Sequence, residues 1–196
     1  MPSAANVFDL IKRENKYFLA FIPPSPIYEE ALAWKHFFKD HYQSKASLNS
    51  PPHITLHMPF LWKEEKEGLL VEKLAAFAQS NKPVSIRLND FSCFEPRVIF
   101  IDVEKSAELE TFQKELERFC KRSFQLFHAD YRDLAYHPHI TLAFRDLKKQ
   151  FFAKAWEDVK EKKLTENFIA DRIVLLKHNE TTWDVFKEFP LSPAVV

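Results

Sequence analysis

Pro51-Pro52-His53-Ile54-Thr55-Leu56 returns 86 residues later as Pro138-His139-Ile140-Thr141-Leu142, and this repeated phrase decides how the chain reads. Side chains of a strand alternate with period two, so a His-x-Thr triplet in a strand sets its imidazole and its hydroxyl on one face. Two such strands facing each other present two imidazoles and two hydroxyls to a single cleft.

The surroundings of the two phrases match. Before the first, Tyr17–Ile22 reads as a strand ended by Pro23-Pro24. Ser25-Pro26 then reads as an N-cap with proline at the first helical position, opening a helix to about His41. The strand His53–Met58 is expected to stop at Pro59. A helix follows from about Glu65 to Ser80, with Leu70, Leu74 and Phe77 on one stripe. Pro83 introduces the strand Val84–Phe91. In the second half Val98–Val103 is a strand, and Ser106 caps a helix carrying Leu109, Phe112, Leu116 and Phe119. A loop with His128, Asp130 and Asp133 leads to the strand His139–Phe144. A helix with Phe151, Phe152, Ala155, Trp156 and Val159 comes next. Two strands close the chain, Phe168–Lys177 and about Thr182–Phe189, with a turn near His178-Asn179-Glu180.

Each half therefore predicts β-α-β-α-β around its motif. The expected fold is α+β and bilobal: two pseudo-symmetric lobes, each a mainly antiparallel sheet with outer helices, and an active cleft between them. One domain spans 1–196, with intertwined lobes and approximate halves 1–95 and 96–196.

Bulk composition narrows the chemistry. With 28 basic and 28 acidic residues the net charge is zero, which argues against a coat for long nucleic acid and leaves room for a small or end-on phosphate ligand. Gly68 is the only glycine. Walker and Rossmann loops need several glycines for close backbone approach to phosphate, so here side chains must do that work. Hydrophobic content of 46% with 20 phenylalanines suffices for a packed interior. Cys93 and Cys120 are too few for a disulfide framework and read as buried thiols of a reducing compartment. No apolar run reaches membrane-span length and the first residues lack a secretory apolar region, so a soluble cytoplasmic protein is expected. Balanced charge and the lack of a heptad seam make a monomer the expectation.

Two imidazoles and two hydroxyls suit a phosphodiester. A free imidazole titrates near 6.5, so one ring can take a proton from the attacking oxygen while the other gives one to the leaving oxygen. The hydroxyls of Thr55 and Thr141 can donate to the phosphoryl oxygens as charge builds, with no cofactor needed. A zinc reading competes: His53 and His57 share a strand face, as do His137 and His139, and four imidazoles could bind the metal. It leaves the threonines unexplained, and neither motif carries an adjacent carboxylate. Phe60, Trp62 and Tyr136 flank the motif strands and are candidates to stack on a base, against a plain core role. Arg132 and Arg145 lie near the second motif and could contact a phosphate. His36, His41, His128 and His178 have no spacing partner.

The paired motifs resemble the 2H phosphoesterase superfamily, in the branch of bacterial 2′-5′ RNA ligase-like, or RNA 2′,3′-cyclic phosphodiesterase, proteins. The resemblance spans nearly the whole chain in architecture and the motifs alone in sequence. It implies a metal-independent hydrolase of a 2′,3′-cyclic phosphate on an RNA end or a nucleotide. It gives acid and base roles to His53 and His139 and phosphate binding to Thr55 and Thr141, and the same geometry run backwards would be a 2′-5′ RNA ligation. The alternative is a nucleotide- or RNA-binding module that keeps the pocket without turnover. One departure stands out. Several members carry an arginine two places after the second Thr-Leu, where this chain has Phe144, with Arg145 following. A strand residue one position on faces the other way, so Arg145 enters the cleft only if the strand bulges. That favours a smaller nucleotide or another cyclic phosphate over an RNA end.

Overall fold

The structure, a computed structural model, describes residues 13–126 and 135–192. Within them the chain runs β1 (Glu14–Phe21), α1 (Ile27–Tyr42), β2 (Ile54–Lys63), α2 (Glu67–Gln79), β3 (Val84–Phe94), β4 (Val98–Val103), α3 (Ala107–Phe124), β5 (His139–Ala143), α4 (Lys149–Glu157), β6 (Asn167–Ala170), β7 (Arg172–His178) and β8 (Trp183–Pro190). The fold is α+β. The strands make one curled antiparallel sheet in the order β6-β3-β4-β5-β2-β1-β7-β8.

The two motif strands are neighbours at the centre of this sheet, and the pair Ile54↔Ile140 sets their register. Four strands lie on each side of that seam. The sides do not follow chain halves: β3 pairs with β4 and β6, while β7 pairs with β1 and carries β8. The first half lends its last strand to the second lobe, and the chain's last two strands return to the first lobe. This exchange breaks the run expected as one strand, Phe168–Lys177. It is two strands, separated at Asp171, because β6 and β7 occupy opposite halves of the sheet.

The helices form where sequence and packing agree. In α3, Leu109, Phe112, Leu116 and Cys120 recur every three or four residues and are buried, and the Leu109 N–H donates to the Ser106 hydroxyl at 3.1 Å. In α1 the expected cap fails. The Ser25 hydroxyl donates instead to the Glu29 carboxylate at 2.7 Å, and the helix starts at Ile27. Pro59 likewise does not stop β2. It sits on the exposed side of an irregularity between the pairs Leu19↔His57 and Tyr17↔Phe60, where the ladder is already interrupted and loses no N–H bond.

The helices bury their apolar stripes against one face of the sheet, with Phe38, Leu74, Leu116 and Ala155 meeting Ile54, Leu56, Ile140 and Leu142 in one core. Each of the leucine, isoleucine and phenylalanine side chains contributes about 1.5–3 kcal/mol by leaving water. The other face carries a smaller cluster of Phe18, Ala20, Val174 and Leu176, flanked by Ile22 and Trp183. This is why Tyr17-Phe18-Leu19-Ala20-Phe21 is apolar at every position: both faces of β1 are covered. Among the described residues no helix is long and apolar enough to cross a membrane.

Candidate active site

Both motif strands bulge at the same place. Ala20 pairs with Thr55 but Leu19 with His57; Phe100 pairs with Thr141 but Ile99 with Ala143. Leu56 and Leu142 are the extra residues, so two side chains oppose one across each ladder. Leu56 and His57 both turn to the helix-covered core, as do Leu142 and Ala143. Ahead of the bulge ordinary alternation holds. Ile54 and Ile140 are fully buried, so His53, Thr55, His139 and Thr141 stand on the opposite face, partly exposed. Extending the register by one position sets His53 across from Thr141 and Thr55 across from His139. Side chains so placed have Cβ atoms about 4.5–5.5 Å apart. The two imidazoles and two hydroxyls thus form a crossed quartet over the seam.

Each ring is fixed in the same way. His53 Nδ1 donates to the Pro51 carbonyl at 2.7 Å, and His139 Nδ1 donates to the His137 carbonyl at 2.7 Å. A carbonyl only accepts, so both rings carry a proton on Nδ1 and exchange protons through Nε2. Each ring also lies against a phenylalanine of the neighbouring strand. Phe18 sits 4.8 Å from His53 at 48°, and Phe100 sits 4.8 Å from His139 at 50°.

The electrostatic surroundings differ. Protein atoms crowd His53 although its edge stays open, and this desolvation, helped by the Lys35 ammonium, pushes its pKa down to about 4. Burial also lowers His139, but there the Asp102 carboxylate pulls upward. Lys35 is buried on α1, and its Nζ donates to the carbonyls of Ser47 and Ser50, each at 2.9 Å. Asp102 pairs with His139 across β4 and β5. It accepts from His137 Nε2 at 3.1 Å and from Asn89 Nδ2 at 3.3 Å.

Several sequence candidates lie elsewhere. His57 does not share the cleft face with His53. The bulge turns it into the core, where Nδ1 donates to the Met58 carbonyl at 2.9 Å and the ring stands edge-on to Phe60 at 5.3 Å. The four-imidazole cluster is therefore not assembled, and among the described residues no group of three or more His, Cys, Asp or Glu could hold a metal ion. Phe60 is a core residue opposite Tyr17, on the face of Ile54 and the wrong one for a ligand, because the two irregularities in β2 cancel between those residues. Trp62 packs on Phe124 on the helix side and donates to the Lys66 carbonyl. Tyr136 packs against the core, and its hydroxyl donates to the Thr55 carbonyl at 3.2 Å; it ties the second motif's approach to the first motif's strand. Arg145 follows the end of β5 and lies exposed over the Phe144 ring at 5.0 Å. The strand does bulge, but at Leu142, and it ends at Ala143, before either Phe144 or Arg145. His36 and His41 are exposed on α1, whereas His178 packs on Trp183, which packs on Phe18 beneath His53. Arg132, His128, Asp130 and Asp133 lie outside the described residues.

Sequence reasoning missed Phe18, Phe100, Phe94, Lys35 and Asp102. The first two had a signal: each lies in the strand before its motif in the repeat. Phe94 is exposed and edge-on to both His137 and His139. Lys35 and Asp102 had none, since each is a lone charge in an ordinary helix or strand.

The chain as a whole has relatives among known proteins. A candidate phosphoesterase of Geobacillus kaustophilus is 29% identical over 177 residues, covering 89% of this chain and 95% of the relative. One from Oceanobacillus iheyensis is 29% identical over 180 residues, covering 90% and 98%. Among solved structures, a protein of Thermus thermophilus shares the fold at a TM-score of 0.64 and 17% identity, over 91% of this chain and 99% of that one. E. coli LigT, solved in complex with 3′-AMP, shares it at 0.64 and 19%, with the same coverage. The model of the 2′-5′ RNA ligase superfamily matches residues 23–182 and takes in both motifs, so the chain belongs to that superfamily of 2H phosphoesterases.

Proposed function

We propose that the protein is a metal-independent phosphodiesterase that opens a 2′,3′-cyclic phosphate, on a nucleotide or an RNA end, by two-histidine acid–base catalysis. The observation that carries this reading is the crossed quartet fixed by Ile54↔Ile140. Water attacks phosphorus opposite the leaving ribose oxygen. One imidazole Nε2 takes the proton from water, the other gives its proton to the ribose oxygen, and the P–O ester bond breaks to leave a phosphomonoester and a hydroxyl. Thr55 and Thr141 donate to the non-bridging oxygens as negative charge grows there. Phe94, exposed beside His139, offers a ring to a base. LigT binding 3′-AMP and ATP supports a nucleotide ligand. Phe144, where several members of the superfamily carry an arginine, favours a small nucleotide over a long RNA end. With a 5′-hydroxyl in place of water, the same ring opening breaks the bond from phosphorus to the 3′-oxygen and leaves a 2′-5′ diester, a ligation.

The test is hydrolysis of a 2′,3′-cyclic mononucleotide and of a cyclic-phosphate-ended RNA in excess EDTA, comparing wild type with the His53→Ala, His139→Ala double variant. The expected result is EDTA-resistant turnover lost in the variant, with the mononucleotide at least as good a substrate as the RNA. Binding of either ligand without turnover would make the protein a nucleotide-binding module instead, and turnover abolished by EDTA would make it a metal-dependent hydrolase.

A further inference from the structure

The quartet is nearly symmetric, yet acid–base catalysis needs its two imidazoles to begin in different protonation states. We infer that Lys35 and Asp102 break the symmetry as positioning residues: Lys35 disfavours the imidazolium at His53 and makes it the base, and Asp102 favours the imidazolium at His139 and makes it the acid. This assignment rests on the cyclic phosphodiesterase reading for its chemistry, but not for its geometry.

The two anchors act at equivalent places with opposite charge. Each histidine is aimed by the carbonyl two residues before it, Pro51 for His53 and His137 for His139. Lys35 reaches from α1 to the backbone just ahead of Pro51 and grips the Ser47 and Ser50 carbonyls, each at 2.9 Å. Asp102 reaches from β4 and grips the His137 ring at 3.1 Å. So one side chain in each lobe fixes the segment whose carbonyl fixes the catalytic ring. A cation behind one ring and an anion beside the other then bias the two in opposite directions.

The side-chain charges acting on the pair follow this division except at His137, and the two aiming carbonyls favour the charge on both rings alike. On His53 bear Lys35 from α1 and His139 from β5, both disfavouring a positive charge. On His139 bear His137, which disfavours the charge, and Asp102, which favours it. Burial pushes the Lys35 ammonium itself down to about 7. Below that pH it is charged and keeps His53 neutral. Above it, an imidazole is neutral without help.

The consequence is a direction for the reaction. His53 Nε2 accepts the proton of the attacking water, and His139 Nε2 delivers its proton to the leaving ribose oxygen. After the step His53 is protonated and His139 neutral, and proton exchange with solvent restores the pair.

The assignment is tested without substrate, by following the imidazole C–H resonances of His53 and His139 in NMR titrations of wild type, Lys35→Met and Asp102→Asn. His53 is expected to titrate at least one pH unit below His139 in wild type. Lys35→Met should raise the His53 midpoint by about one unit with His139 little changed, and Asp102→Asn should lower the His139 midpoint. Equal midpoints in wild type, or a His53 midpoint unmoved in Lys35→Met, would overturn the inference. If Lys35→Met does not fold, the wild-type difference still decides, and Lys35→Arg, which keeps the charge and the donors, should preserve it. On a substrate that turns over, the acidic limb of the kcat/KM profile should move up in Lys35→Met by the same amount as the His53 midpoint and return in Lys35→Arg. Loss of turnover on every cyclic phosphate with the titration intact would sink the function but not the anchors; normal turnover with equal midpoints would do the reverse.

Discussion

The half-site around His53 and the half-site around His139 are built on one plan and differ in one respect. Both place the histidine just ahead of a bulged leucine, aim it with the carbonyl two residues earlier, and back it with a phenylalanine 4.8 Å away. The difference is charge: a buried lysine behind the first and an aspartate beside the second. In the proposed mechanism, repetition supplies the geometry of an acid–base pair, and single charged residues supply its asymmetry.

The strongest way to break the comparison is to remove each imidazole in turn. His53→Ala and His139→Ala should each lower kcat about 10²–10⁴-fold on a 2′,3′-cyclic mononucleotide, with the double variant little worse than the poorer single. A single variant keeping near-wild-type kcat in single-turnover kinetics would show that only one half-site does chemistry. The threonines probe the same symmetry more gently. Thr55→Val and Thr141→Val keep shape and remove a donor, and each should cost about 10²–10³ in kcat with KM moving little. Costs that differ by more than tenfold would mean that the phosphoryl group leans on one lobe.

The repeat and its strand-helix order were legible because proline, the cap at Ser106 and alternating apolar residues act locally. What was not legible depends on long-range pairing. The bulges at Leu56 and Leu142 exist only relative to β1 and β4, and the one at Leu56 turns His57 off the face of His53. Strict alternation from His53 therefore misplaces His57, while Phe60 keeps the core role weighed against stacking. The exchange of β3 for β7 and β8 between lobes is equally invisible locally, since a strand's own residues do not say which edge it joins. Lys35 reads from sequence as one more polar residue of an amphipathic helix, and only the fold brings its ammonium to the backbone ahead of His53.

Acid stability should separate the half-sites by a smaller amount. The folded pKa of His53, about 4, lies below the unfolded value near 6.5. Between those values the unfolded chain binds more protons, so the stability His53 contributes is present above about pH 6.5 and is lost as pH falls toward 4. The loss amounts to about 3 kcal/mol at the acid end. Urea unfolding of wild type and His53→Asn at pH 7 and pH 4.5 should show a flatter profile in the variant. His139→Asn should flatten it less, because Asp102 opposes burial there. Identical profiles for the two variants would erase the electrostatic distinction between the lobes.

The smallest effect concerns what joins the halves. Ile54↔Ile140 is the pair that registers β2 against β5, and Tyr136 adds a hydroxyl bond to the Thr55 carbonyl across the same seam. Tyr136→Phe keeps the ring in the core and deletes that bond, so it should lower stability by about 1 kcal/mol, measured by urea unfolding. The carbonyl it frees belongs to Thr55 itself, whose hydroxyl is proposed to serve the phosphoryl group. A clasp that only holds the fold would leave kcat unchanged. A clasp that holds the quartet in register would lower kcat a few-fold, without moving the pH profile, because neither imidazole changes its charged neighbours. The pH profile therefore distinguishes a residue that aligns the two half-sites from one that makes them unequal.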